Sequence, residues 1–251
     1  MNPEELLIRK YIENKVCKTQ ELAPYIKESS ILWIENDPGL VWDIMVLLPD
    51  NLFSEFINQY GECFVIDDHE HLPWIFIRVK DLQWLENDFK NRFPIALWVY
   101  ENSLVLQDKE GRFVKILQEQ KKVFAETIHK ILERKYLEFR TERHNLRHAL
   151  ERKNMISTAI IKATIVKLVL EMSFLVEEKP YPYKKWLPLA AEYDTNNGKK
   201  LLKISRDFLN SDVPTIIIDL SDQLVSEMVK ILTKTKIFPK NFLQKWWLYL
   251  K

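Results

Sequence analysis

The hydrophobic pattern of the chain changes its period once, close to the turn "DKEG" at Asp108–Gly111. Before it, apolar runs of strand length ("SILWIEN", "LVWDIMVLL", "CFVID", "WIFIRV") alternate with short helical patterns. Those patterns are "DNLFSEFINQYG", with Asp50 as its N-cap candidate and Gly61 as its stop, and "DLQWLENDF"; the run "IALWVYENSLVL" closes the series. After the turn the strand signal nearly vanishes. Helical spacing dominates "FVKILQEQKKVFAETIHKILERKYLEF", "ERHNLRHALERKNMISTAIIKATIVKLVLEMSFLV", "NNGKKLLKISRDFLNS" and "SDQLVSEMVKILTKT". An α+β architecture follows: a small mixed sheet with helices over residues 1–110, then an α-helical bundle over residues 111–251.

Charge divides at the same place. Residues 1–110 hold 10 Lys and Arg against 20 Asp and Glu, a net of −10, whereas residues 111–251 hold 27 against 16, a net of +11. Opposite halves of this kind suit two domains that dock, or a cleft with one acidic and one basic wall. The chain has 4 glycines, Gly39, Gly61, Gly111 and Gly198, too few to write a Walker loop or a GxGxxG turn. Its 2 cysteines, Cys17 and Cys63, form neither a disulfide framework nor a zinc motif, and a reducing, cytoplasmic setting fits them. The N-terminal "MNPEELLIRKYIENK" lacks the apolar core of a signal peptide. The apolar stretch Met155–Val176 is long enough to span a bilayer but carries Lys162, Lys167 and Glu171, so it reads as a buried bundle helix rather than a membrane anchor.

Asp43 is the residue that asks for an explanation. It lies among Leu40, Val41, Trp42, Ile44, Met45, Val46, Leu47 and Leu48, where a carboxylate is costly to desolvate without a compensating group. Backbone N–H groups or an arginine from another element would satisfy it; so would a role as metal ligand or general base.

The order of a small α/β domain with a strand bearing Asp43, then "FPIALWVYENSLVLQDKEGRF", then "HALERKN" leading into a long apolar helix, then "KPYPYKKWL", resembles the nucleotidyltransferase-fold family that includes antibiotic nucleotidyltransferases. The likeness covers roughly residues 30–190, and "YPYKKW", Tyr181 to Trp186, is its most telling piece. It implies two magnesium ions held by an acid, apolar, acid motif on one strand, with a third carboxylate from a neighbouring strand and a nucleoside triphosphate as ligand. Side chains two apart on a strand share a face, so two carboxylates there can grip a metal pair that bridges the phosphates. Asp43 matches the first acid. Tyr183, Lys184 and Lys185 fall where the resemblance implies contact with the nucleotide.

Three departures from the pattern follow. Met45 stands at the second acid, and a thioether does not ligate magnesium. Glu35, Asn36, Asp37, Pro38 and Gly39 stand where the family has a Gly-Ser turn, and two acids there repel a triphosphate. "WIFIRV" offers Arg78 as its only charge where the third carboxylate is expected; Asp81, just beyond, is either a metal ligand or the cap of the next helix. The cluster "DDHEH", Asp67 to His71, is a solvated loop or a convergent ligand set. His144 and His148 share a helix face with Arg143 and Arg147 and suit a surface or an anion better than a metal.

Two function classes result. One is a catalytically impaired or silent nucleotidyltransferase-like protein, a possible pseudoenzyme, that binds a nucleotide, small molecule or protein partner in the cleft between its acidic and basic domains. The other is an active magnesium-dependent transferase moving a nucleoside monophosphate onto a hydroxyl, with Asp43 and Asp81 on the metal. The C-terminal basic residues lack the aromatic interleaving of a stacking platform, which argues against nucleic acid as the ligand.

Overall fold

The structure, a computed structural model, describes residues 3–37, 41–70, 73–239 and 241–250, with the backbone alone at residues 4 and 35–37. Two compact units divide it, Met1–Lys122 and Val123–Lys251.

The first unit is built on a five-stranded mixed sheet in the order β3-β4-β2-β1-β5. The strands are β1 (Ser30–Asp37), β2 (Val41–Leu48), β3 (Val65–Asp68), β4 (Trp74–Asp81) and β5 (Leu104–Asp108). β2 pairs parallel with β4, and every other pair is antiparallel. Parallel pairing needs a crossover, supplied by α2 (Asp50–Tyr60) and the edge strand β3. Pro49 rather than Asp50 takes the α2 N-cap, so Asp50 is the first helical residue; Gly61, at φ 85°, ends the helix in a backbone region that favours glycine. On one face of the sheet Trp42, Ile44, Val46, Leu48, Ile75, Ile77 and Val79 pack with Phe56 of α2 and with Ile8 and Ile12 of α1 (Pro3–Asn14). Met45 and Leu47, on the other face of β2, are also buried. A strand covered on both faces reads as a continuous apolar run, which is why β2 shows little alternation.

The run "IALWVYENSLVL" does not form one element. It divides at Asn102–Ser103 into α4 (Ile95–Glu101), which follows α3 (Leu82–Arg92), and β5. Glu110 and Gly111 both have positive φ, 58° and 65°, and turn the chain from β5 into α5 (Arg112–Glu151). Asp108 pins that corner: it accepts from Ser30 Oγ at 2.6 Å and from the backbone N–H groups of Phe113 and Val114 at 3.1 Å each. α5 is 40 residues long, and the division between the units falls within it.

The second unit is helical; no described residue after Asp108 is in a strand. The periodic segment 142–176 proves to be two helices. α5 stops at Glu151, Lys153 takes φ 54°, and the side chain of Asn154 accepts from the Ser157 N–H to open α6 (Met155–Leu175). α7 (Leu187–Asp194), α8 (Gly198–Asn210) and α9 (Pro214–Thr235) complete the unit. α8 starts so close to α7 that a Cβ on Gly198 would lie 1.6 Å from the Ala191 carbonyl oxygen. The charges inside α6 are each compensated. Lys162 donates to the carbonyls of Leu209 at 2.9 Å and Ser211 at 2.8 Å, a cation at the C-terminal end of α8. Glu171 is shared by Lys135 at 2.6 Å and Lys167 at 3.3 Å. Among the described residues no helix is long and apolar enough to cross a membrane.

Asp108→Ala removes an acceptor from two otherwise unmatched N–H groups of the α5 start, and should lower stability by about 1–2 kcal/mol. Urea unfolding of the variant against the native chain measures it.

Candidate functional site

β2 is the middle strand of the sheet, and its two-residue period places Asp43 and Met45 on the same face. The parallel register sets Asp43 beside Phe76 and Met45 beside Arg78 on β4. From there the Arg78 side chain reaches back to the carboxylate, with Nη2 at 2.9 Å from Oδ1 and 2.8 Å from Oδ2 of Asp43. Both side chains are largely withdrawn from water, 16% exposed for Asp43 and 29% for Arg78. The guanidinium carbon lies 5.9 Å from the Phe76 ring centre, within cation–π range. Arg78 Nε is buried and makes no hydrogen bond among the described residues.

Asp81 lies elsewhere. It pairs in register with Leu48, five positions along β4 from Phe76, which is about 17 Å at the rise of a strand. An odd separation also turns it to the opposite face. Its carboxylate accepts from the Trp84 N–H at 2.6 Å and caps α3. The structure therefore does not bring Asp81 to Asp43.

The first two acids of "DDHEH" are engaged as well, and they close strand β3 rather than standing in a loop. Asp67 accepts from Trp74 Nε1 and lies 3.0 Å from His69 Nε2, while the His69 ring stacks on Trp74 at 4.6 Å. Asp68 accepts from the Tyr11 hydroxyl at 3.2 Å. His71 lies outside the described residues, as do Pro38, Gly39 and the side chains of Glu35, Asn36 and Asp37 from the altered turn. His144 and His148 approach at 3.3 Å on an exposed face, where His148 also meets Glu151 and Arg143 meets Asp222.

In the second unit, Tyr183, Lys184 and Lys185 sit together in the turn before α7. Trp186 Nε1 donates to the Tyr183 hydroxyl at 3.0 Å, and Lys185 Nζ stands 5.4 Å from the Trp186 ring centre. Lys184 lines an apolar groove with Lys167.

Among the described residues, then, β2 and β4 set a carboxylate, a thioether and a guanidinium side by side. This donor set does not fit magnesium, which requires several hard oxygens, and no group of three His, Cys, Asp or Glu among the described residues is placed to hold a metal. The counter-charge is the feature that the sequence displayed without resolving: Arg78 is the single charge of "WIFIRV", and strand pairing decides whom it meets. A second polar cluster had no sequence signal beyond its i, i+4 spacing. Asp88, 8% exposed, accepts from Arg92 and, at 3.0 Å, from the Tyr100 hydroxyl. Burial first, then Asp88, pushes the Tyr100 hydroxyl well above its usual range, with Arg92 and Arg78 opposing.

Two outcomes are expected. Arg78→Met should destabilise the first unit by about 2 kcal/mol, because it leaves a half-buried carboxylate short of its charged partner, while Asp43→Asn should cost less and leave the fold intact. Denaturant titration followed by tryptophan fluorescence reads both. Burial, and then Asp68 beside it, raises the Tyr11 hydroxyl from 10.0 to about 12. The neutral phenol is thus favoured by folding, so its contribution is complete below pH 10 and is lost as pH rises to about 12. Tyr11→Phe should flatten that part of the alkaline unfolding profile; an unchanged profile would refute the assignment.

No curated protein is similar in sequence. A family model described as a domain of unknown function, DUF4037, matches residues 94–187, the segment from Pro94 through α4, β5, α5 and α6 to the start of α7. Among solved structures, a nucleotidyltransferase-like protein from Exiguobacterium sibiricum is similar at 10% identity and a TM-score of 0.50, over 91% of this chain and 78% of that one. At that identity the likeness speaks to architecture alone: the fold of the chain is similar to that of a nucleotidyltransferase-like protein.

Proposed function

We propose that the chain is a catalytically silent nucleotidyltransferase-like protein, which keeps the scaffold to bind a nucleotide or a protein partner and does not transfer a nucleotidyl group. The observation that carries this reading is the Asp43–Arg78 ion pair. A carboxylate that works on magnesium presents its oxygens to the ion, whereas here a single guanidinium nitrogen lies against both of them. Met45 and the cap role of Asp81 support the same conclusion, because neither adds a hard oxygen beside Asp43. Catalysis in such a site would lack the charge stabilisation that transferring a phosphoryl group demands. Any nucleotide would be held through its base, its sugar and positive side chains, with no call on a divalent ion. The free thiols of Cys17 and Cys63 support a cytoplasmic setting.

Calorimetry of the purified protein with each nucleoside triphosphate, in magnesium and then in EDTA, tests the proposal alongside a radiolabel transfer assay. The expected result is no transfer, and nucleotide affinity that magnesium does not change. The double variant Arg78→Met, Met45→Asp should gain magnesium binding, since residues 43 and 45 then project two carboxylates together, yet show little transfer. Magnesium-dependent transfer by the native chain, lost in Asp43→Asn, would overturn the reading.

A further inference from the structure

The second unit carries an apolar groove of about 290 Å³ that owes nothing to Asp43. Val166 and Leu170 of α6, Leu187 of α7 and Leu209 of α8 line it, and Lys167 and Lys184 stand with them. The groove does not end where its walls do. Ile156 and Ile160, 76% and 62% exposed, continue it along α6, and positions 156, 160, 163 and 167 follow the i, i+4, i+7, i+11 spacing of one helix face. The stripe runs for about 17 Å, three helical turns. Two isoleucines left in water on successive turns, opening into an apolar trough, are the mark of a surface that is covered in use.

Charge states what covers it. Glu171, 2% exposed, is the shared partner of Lys135 and Lys167, so that one ammonium at this end of the stripe is in excess, and Lys184 adds another. A three-turn apolar trough with cations at one end fits a short helix with apolar residues on one face and carboxylates in one terminal turn. A flat lipid surface fits it less well, because the lining is concave. We propose that this groove docks an acidic amphipathic helix of a protein partner, laid along α6 with its carboxylates against Lys167 and Lys184. The partner's register is set by the lysines and its affinity by the buried aliphatic area. This assignment is independent of whether Asp43 is silent.

A fluorescently labelled synthetic helix, with leucines on one face and glutamates in one terminal turn, is the probe; the same helix with lysines for glutamates is its control. Anisotropy titration of the full chain should give saturable binding of the acidic helix, with a Kd of about 10 µM. Ile160→Asp should abolish it. Lys184→Glu should weaken it about tenfold and reverse the preference toward the lysine helix. Both positions are exposed, and circular dichroism checks that the variants remain folded. The reversal cannot come from unfolding. Equal binding of the two helices, or none of the acidic one up to about 1 mM, would overturn the proposal. So would Ile160-dependent adsorption to phosphatidylglycerol vesicles, which would assign the stripe to a membrane. Ile160-dependent self-association in sedimentation would likewise overturn it, in favour of a second copy of the chain.

Discussion

A carboxylate in the middle of a central strand has neighbours on both sides and packed side chains on both faces, so its compensation must come from within the sheet. Asp43 obtains it from β4, whose parallel register delivers Arg78 two positions past the residue opposite. The remainder of the first unit is arranged around that pairing. A parallel neighbour requires a crossover, and the crossover occupies α2 and β3. The face of β2 that lacks Asp43 is then free to be wholly apolar, and it packs against α1 and α2.

Element type was legible wherever the hydrophobic period was long and unbroken. The four strand runs before Gln83 and the helices α2, α3 and α8 stand where the spacing puts them, whereas α9 begins at Pro214, seven residues ahead of "SDQLVSEMVKILTKT". The misplaced boundaries share a physical cause: each is decided by one residue's backbone conformation rather than by periodicity. Lys153 in the left-handed region and the Asn154 cap break a pattern that, read by apolar spacing alone, continues through both helices. Likewise Pro49 takes the cap that Asp50 is chemically suited to, and α4 and β5 part within one apolar run at Asn102–Ser103.

The site was legible as a question and not as an answer. A sequence displays that Asp43 needs a partner and that Arg78 is the one charge of "WIFIRV", but the distance between them exists only once β2 and β4 have paired in register. The same holds in α6. Lys162 and Glu171 look like interruptions of an apolar helix, and become the cap of α8 and the shared counter-ion of two lysines only through tertiary contact. Local propensity is blind to such pairs, since the partners are separated by tens of residues.

What the Asp43–Arg78 pair contributes follows from magnitudes. Replacing a withdrawn ion pair by well-packed apolar residues is often neutral or stabilising, so net stability is a poor account of its presence. Register is a better one. β2, "VWDIMVLL", is apolar on both faces, and hydrophobic alternation alone does not say which set should meet α1 and α2. A slip of one residue would exchange the faces and drive Asp43 into the cluster formed by Trp42, Ile44 and Val46 with Phe56, away from any cation on that face of β4, which there bears Ile75, Ile77 and Val79. The cost of burying an unpaired carboxylate is several kcal/mol, enough to exclude the slipped pairing outright. The single charge on β2 and the arginine two positions along its neighbour thus exclude the one-residue slip of a nearly featureless strand, and the register that results sets Asp43 against a guanidinium.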